Sequence, residues 1–310
     1  MISHPHIKSL LFICQVFLYT FFLSYCADRH IGEKASPAYL AEINDWHAER
    51  VSRLTSKTGW LSLSGLFWLR EGENTFGSHP ENRIQFPKGR APEYIGTFFL
   101  NEGLVLAKIK KGVQVLYRDS LISEIEMKAD ISGNPTILSL DSLSWFIIKR
   151  GEQTGVRLRD KENRRLSAFS GIDRFPVDST WRVTARFEPY DPPKVIDVPN
   201  IIGSVNQSTS PGALVFEIGE KTCRLDALAE PGDKKMFLIF ADQTNGIDTY
   251  GAGRFLSVDM PDKEGYTLID FNKAYNPPCA FTPYATCPLP PAQNILPVEV
   301  TAGEKNYGEH

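Results

Sequence analysis

The chain has 310 residues, of which 42% are hydrophobic and 11% aromatic, enough for one large core or two smaller ones. Charged residues make up an ordinary 23%, and the net charge is -3. This balance argues against a nucleic-acid-binding surface, so we expect no nucleic-acid partner.

Residues 1–26 have the features of a secretory signal. Lys8 precedes an uncharged, mostly apolar run over 9–25, which is slightly short for a membrane span. The run ends in LSYC, which resembles the lipid-attachment box of bacterial lipoproteins with Cys26 as the lipidated residue. Tyr25 departs from that box, which has Gly, Ala or Ser there. We predict a bacterial envelope lipoprotein, periplasmic or on the outer membrane, attached only through this lipid or signal. The alternative is an uncleaved anchor.

A single amphipathic helix is predicted to begin after Ser36. Ser36 is a suitable N-cap, and Pro37 suits the first helical position. The next segment, from Gly59 to Ser78, alternates like a strand that is broken at Gly65. Its aromatic residues either anchor the helix or line an apolar pocket. The apolar stripe of the helix is predicted to be Tyr39, Leu40, Ile43, Trp46, Val51 and Leu54.

Short apolar runs separated by Gly, Asn and Pro turns fill 82–228. The clearest is WRVTARFEPY, in which apolar and polar residues alternate from Trp181. Such strands predict a mainly β fold whose antiparallel sheets form a sandwich or barrel, with the N-terminal helix packed against it. Proline-rich PYDPPKVIDVP predicts a boundary between parts 27–190 and 191–310. The alternative is one continuous domain, 36–310.

The segment 157–165, RLRDKENRR, consists almost entirely of charged residues. One interpretation is a solvated hairpin tip, and the other is an edge that binds anions. Nothing in the local sequence decides between them.

Beyond the signal the chain has three cysteines, Cys223, Cys279 and Cys287. In an exported protein two of them can pair, and the third is then a small buried residue. Cys279 and Cys287 either form a disulfide, act as a thiolate nucleophile or metal ligand, or are two buried thiols. The motifs HExxH, CxxC, GxSxG and SxxK and the phosphate loop are absent. We therefore predict no metal site and no cofactor.

The tail over 269–305, IDFNKAYNPPCAFTPYATCPLPPAQNILPVEVTAGEK, resembles the signature end of a bacterial and archaeal family called domain of unknown function 1684. The pieces GWLSLSGLFWLREGEN, RFEPY, SPGALVF and DQTNGIDTYGAGRFL also resemble recurring motifs of that family. The likeness extends over roughly the whole mature chain. It implies a common fold and a shared site around the tail, and it supplies no reaction.

The stretch 249–291 concentrates polar residues among glycines and prolines, which is typical of the rigid loops that carry sites. In an extended segment Asp270 and Asn272 would face one side and offer an acceptor and an amide to a ligand. Arg254 would bind an anionic group or pair with Asp270. The predicted ligand-binding residues are Arg254, Asp270, Asn272, Tyr275 and Asn276.

Three functions follow from this stretch. The leading hypothesis is an exported protein that binds a small polar ligand at the loop of Arg254 and 270–287. The alternative is a hydrolase in which Asp270 or Tyr275 is the acid/base and Cys279 a nucleophile. The third is a structural envelope protein whose tail clamps the final strand. The sequence does not decide whether the protein is an enzyme.

Overall fold

The computed structural model describes residues 35–308, so the predicted signal and Cys26 lie outside the described residues. The described residues form two α-helices, α1 (Pro37–Thr55) and α2 (Arg164–Ala168), and seventeen strands. Within this part of the chain, neither helix is long and apolar enough to cross a membrane. The strands are β1 (Leu63–Trp68), β2 (Gly72–Gly77), β3 (Ile84–Gln85), β4 (Gly96–Asn101), β5 (Leu104–Ile109), β6 (Leu116–Tyr117), β7 (Ser120–Leu121), β8 (Glu124–Glu126), β9 (Leu138–Leu140), β10 (Leu143–Arg150), β11 (Gln153–Asp160), β12 (Arg182–Pro199), β13 (Val205–Ile218), β14 (Lys221–Ala227), β15 (Lys235–Phe240), β16 (Arg254–Asp259) and β17 (Tyr266–Asp270).

These strands form four sheets. A six-stranded sheet has the order β1-β11-β10-β9-β6-β7, and a five-stranded sheet has the order β3-β2-β4-β5-β8. In the C-terminal half, β14-β13-β12-β17 form one sheet and β15-β16 another. The pairing is antiparallel except between β2 and β3. The predicted mainly β fold with antiparallel sheets is confirmed, and the described strands close no barrel.

Helix α1 begins where the sequence predicts, because the Ser36 hydroxyl accepts a hydrogen bond from the Tyr39 amide at 3.2 Å. Its inner face buries Tyr39, Ile43 and Leu54 against the sheets. Leu40 was predicted on this face but is 41% exposed, since it lies about 100° around the helix from Tyr39. The buried stripe is therefore narrower than predicted.

The core has two large parts. One contains apolar residues between Leu69 and Leu158, and the other contains apolar residues between Ala185 and Ala302. Strand β12 runs through the predicted boundary at 190, with an irregular register between Pro189 and Lys194. The division into 27–190 and 191–310 stays a prediction.

The charged segment 157–165 is not a hairpin tip. The tip lies earlier, between Arg150 and Gln153, where Gly151 adopts a positive φ of 55°. Arg157 therefore stands inside β11, between β1 and β10, and is 4% exposed. Helix α2 follows at Arg164.

Candidate ligand-binding cleft

A cleft of about 950 Å³ lies between α1 and the strands β16 and β17. Strand β12 and the segment that follows α1 complete its wall. The wall combines aromatic rings with charges of both signs: Trp46, Trp60 and Tyr275; Arg50, Arg53, Arg182, Lys235 and Lys273; Glu42, Asp259 and Asp270.

Asp270 is the last residue of β17, and its two carboxylate oxygens have different surroundings. Oδ1 accepts three hydrogen bonds, from the Tyr39 hydroxyl at 2.7 Å and from the backbone and side-chain nitrogens of Asn272 at 3.2 and 3.3 Å. Oδ2 is buried and has no hydrogen-bond partner among the described residues. The Lys273 ammonium lies 3.6 Å from it. One oxygen therefore holds the local structure, and the other has unused acceptor capacity.

The Tyr39 hydroxyl keeps its proton next to this carboxylate. Burial raises the pKa of Tyr39 above its usual value, and the hydrogen bond and charge of Asp270 raise the pKa further. At neutral pH Tyr39 is therefore a donor that fixes Asp270 from helix α1.

The predicted alternation of Asp270 and Asn272 on one side of an extended segment is wrong. Residues Phe271–Lys273 form a 3₁₀ turn that Asp270 caps, and the turn buries Phe271 in the core. The Asn272 amide nitrogen donates to the Asp178 carbonyl at 2.8 Å, and its oxygen accepts from the Asp178 amide at 3.1 Å. Asn272 thus hydrogen-bonds within the protein.

Tyr275 lies on the cleft wall. Its ring centroid is 6.2 Å from that of Trp46 and 4.9 Å from the guanidinium carbon of Arg50. Burial raises its pKa, while Arg50 and a hydrogen bond with Ser257 oppose that rise. Tyr275 is therefore a neutral phenol at physiological pH, packed between an aromatic ring and a cation.

Arg254 lies outside the cleft and is fully buried. Its Nη2 donates to Asp242 Oδ2 and to the Val300 carbonyl, both at 2.8 Å, and its Nη1 donates to the Ala302 carbonyl. The carboxylate that pairs with Arg254 is Asp242, not Asp270. Arg254 ties β16 to the C-terminal tail.

A second buried ion pair connects the tail to α1. Arg50 Nε lies 3.3 Å from Glu304 Oε1, and Arg50 Nη2 donates to the Asn276 carbonyl at 3.0 Å. Glu304 Oε2 accepts from the Asn276 amide at 2.7 Å, and the Asn276 side chain donates to the Lys305 carbonyl at 2.7 Å. Burial raises the pKa of Glu304, against the effect of Arg50. This pair was not predicted from the sequence. Arg50 lies seven residues after Ile43, on the apolar face of α1, and a charge on that face indicates a buried partner.

Cys279 and Cys287 are joined in a disulfide, with Cα atoms 6.1 Å apart. Cys279 therefore has no free thiol in this form. Cys223 is free and buried, and burial raises the pKa of its thiol. Within 35–308, no group of His, Cys, Asp and Glu is arranged to hold a metal ion.

The fold and the cleft define a mainly β protein with a polar, aromatic-lined groove beneath its N-terminal helix. The chain belongs to the family described as Protein of unknown function (DUF1684), whose model matches residues 167–305. An uncharacterized protein of Haloarcula marismortui, solved by solution NMR, is 30% identical. That match covers 48% of this chain and 82% of the archaeal chain, with a TM-score of 0.40.

A structure described as a structural and functional analysis of phosphothreonine-dependent FHA domain interactions is 13% identical. That match covers 30% of this chain and 92% of that chain, with a TM-score of 0.19. No curated protein matches the chain.

Proposed function

We propose that the protein binds a small polar ligand in the cleft between α1 and β17, where Asp270 accepts a hydrogen bond from a ligand hydroxyl or amine. The observation that carries this proposal is the buried Oδ2 of Asp270, which lacks a hydrogen-bond partner within the described chain. A buried acceptor without a donor costs about 1–3 kcal/mol, and more when it is charged. The Lys273 ammonium, 3.6 Å away, offsets part of that cost, and a ligand donor at Oδ2 would recover the rest.

The size and lining of the cleft support the same function. Its volume of about 950 Å³ is within the range of small-molecule sites, roughly 300–1,000 Å³. Trp46 and Tyr275 offer aromatic faces to a ligand. Arg182 lies over the Tyr39 ring at 5.2 Å and makes no ion pair with the described residues, so it is available to an anionic ligand group.

The predicted binding residues have two roles in this proposal. Asp270 and Tyr275 line the cleft and contact the ligand. Arg254, Asn272 and Asn276 use their polar groups within the protein and position the tail behind the cleft.

We also propose that the protein is exported and anchored to the envelope through a lipid on Cys26. The disulfide between Cys279 and Cys287 supports export, because disulfides persist in oxidising compartments. The signal-like sequence of 1–26 supports it independently. Mass analysis of the protein from membranes should give an N-terminal, lipid-modified Cys26. Recovery of the unprocessed chain in the cytosol would contradict the proposal.

A structural role for the tail is the second candidate, and the buried contacts of Arg254 and of Arg50 with Glu304 favour it. The hydrolase alternative uses the same cleft wall, since Asp270 and Tyr275 both line it. Its proposed nucleophile, Cys279, would first have to be released from the disulfide.

Asp270→Asn tests the proposal because the two oxygens of Asp270 differ. An asparagine can keep an oxygen at the Oδ1 position for Tyr39 and Asn272, while a nitrogen replaces Oδ2. The full chain would be titrated with glucose, glucosamine, ethanolamine and glycerol 3-phosphate, with melting temperature and tryptophan fluorescence as readouts. We expect binding by at least one compound, and a loss of about tenfold or more in its affinity in Asp270→Asn.

Glu264→Gln is the matched control, because this exposed carboxylate does not line the cleft. It should leave the affinity unchanged. If Asp270→Asn and Tyr275→Phe both lower the melting temperature and no compound raises it, the tail is only a clamp. If the wild type hydrolyses a p-nitrophenyl ester and neither variant does, the protein is a hydrolase.

A further inference from the structure

Arg157 is a buried cation without a carboxylate partner. It stands inside β11, is 4% exposed, and makes no ion pair within 35–308. Its one side-chain hydrogen bond among the described residues runs from Nη2 to Thr286 Oγ1 at 3.3 Å. Burial, followed by the charge of Arg150, lowers the pKa of Arg157 to about 10. A buried charge in such surroundings needs a counter-charge.

Two further guanidinium groups lie near Arg157. Arg150 Nε donates to the same Thr286 Oγ1 at 3.0 Å, and its Nη1 pairs with Asp130 at 2.8 Å. Arg159 follows two residues later on the same side of β11, and its Nε is also buried without a hydrogen-bond partner. Among the described residues Asp130 pairs with Arg150, and no carboxylate pairs with Arg157.

Thr286 completes this arrangement from the disulfide loop. Its hydroxyl accepts from both Arg150 and Arg157, and its own proton has no acceptor among the described residues. The disulfide at the adjacent Cys287 holds the loop in this position. Thr286 is half-buried and the Arg150 side chain is 22% exposed, so the group is accessible from solvent.

We propose that Arg150, Arg157 and Thr286 form a binding site for a small oxyanion, either a carboxylate or a phosphate or sulfate group. The two guanidinium groups donate charge-assisted hydrogen bonds to its oxygens, and the threonine proton supplies a further donor. The anion provides the negative charge that Arg157 lacks within the protein. None of the three residues lines the cleft, although the Arg157 guanidinium carbon is 5.5 Å from the centroid of Trp60, which does line it. The two proposed sites are therefore neighbours that use different residues.

The test measures the melting temperature of the full chain in sodium phosphate, sodium sulfate and sodium acetate against sodium chloride of equal ionic strength. We expect at least one oxyanion to raise the melting temperature above the chloride value, and to do so more in the wild type than in Arg157→Met. The comparison with the variant is needed because sulfate and phosphate also stabilise proteins without binding to a site. A larger rise with acetate than with phosphate or sulfate would indicate a carboxylate site. The reverse would indicate a site for a tetrahedral anion. Arg157→Met should weaken the affinity by about tenfold or more, since it removes a charge-assisted hydrogen bond and the charge.

Arg159→Met is the matched control, because it removes the same charge from the same side of β11 without a contact to Thr286. It should change the affinity by about twofold at most, since the Arg159 guanidinium lies over the Phe146 ring and makes no hydrogen bond to Thr286. Thr286→Val removes only the hydroxyl and tests the site without altering a charge. The proposal fails if no oxyanion exceeds chloride, or if Arg159→Met weakens binding as much as Arg157→Met. Asp270→Asn should leave the oxyanion effect unchanged.

Discussion

Arg254 and Arg157 are both buried arginines, and they differ in what surrounds them. Arg254 is matched by the Asp242 carboxylate at 2.8 Å and by two carbonyls of the tail. Arg157 has the neutral hydroxyl of Thr286 and the face of the Trp60 ring at 5.5 Å, but no carboxylate within ion-pair distance in the described chain. Both Nε atoms are buried without a partner. The two arginines therefore differ in the partners of their terminal nitrogens and in the presence of a counter-charge, which only Arg254 has among the described residues.

The two aspartates show the same contrast. Both oxygens of Asp242 are used, because Oδ1 accepts from Thr244 and from the Val300 amide while Oδ2 accepts from Arg254. Asp270 accepts three hydrogen bonds at Oδ1 and none at Oδ2, which has only the Lys273 ammonium at 3.6 Å. Burial alone thus does not separate the charges that are fully partnered within the protein from those that we propose to bind ligands. The number of partners that a buried group lacks is the better indicator.

Removal of Arg254 should have the largest effect. Arg254→Met leaves the buried Asp242 carboxylate and the Val300 and Ala302 carbonyls without their donor. We expect the free energy of unfolding to fall by about 3–5 kcal/mol, as measured by urea denaturation. Arg186→Met, which removes an exposed arginine paired with Glu188, should cost about 1 kcal/mol or less. Equal losses in the two variants would show that the Arg254 contacts do not stabilise the fold.

The disulfide should have the next largest effect. The two cysteines are eight residues apart in the sequence, so the disulfide closes a short loop. The double variant Cys279→Ser/Cys287→Ser should therefore lower the free energy of unfolding by about 2–3 kcal/mol. The loop carries Thr286, so the double variant should also lose the oxyanion effect while the cleft ligand still binds. Reductant should reproduce these losses in the wild type and change nothing in the variant. If the double variant binds oxyanions as well as the wild type does, the disulfide loop is not needed for the arginine site.

Local patterns in the sequence were sufficient for the fold class and for two residues that line the cleft. The Ser36 cap, the alternation in β12 and the turn signals are short-range features, and each predicts an element without knowledge of the tertiary structure. The disulfide was one of three open interpretations and is present in the structure. Asp270 and Tyr275 were predicted from the density of polar residues, and both line the cleft.

The partners of the buried charges were beyond the sequence. Arg254 meets Val300 and Ala302, which lie more than forty residues away, and no local spacing encodes that contact. The predicted side-chain directions near Asp270 are wrong because the backbone there forms a 3₁₀ turn and is not extended. For the charged segment 157–165 the hairpin tip was one of two open interpretations, and it is wrong. The tip is at Gly151, and the pairing of β11 with β1 and β10 buries Arg157, which the local charge pattern does not show.

Arg157→Met should have the smallest effect on stability, and it tests the contrast with Arg254 directly. In a buffer without oxyanions, we expect the free energy of unfolding to change by about 1 kcal/mol or less in either direction. An uncompensated buried cation contributes little net stability, and an apolar side chain of similar length removes its desolvation cost while losing one hydrogen bond to Thr286. Urea denaturation of this variant beside Arg254→Met measures the difference. A loss as large as that of Arg254→Met would mean that Arg157 is already compensated within the folded protein, and the case for an oxyanion as its missing partner would be gone.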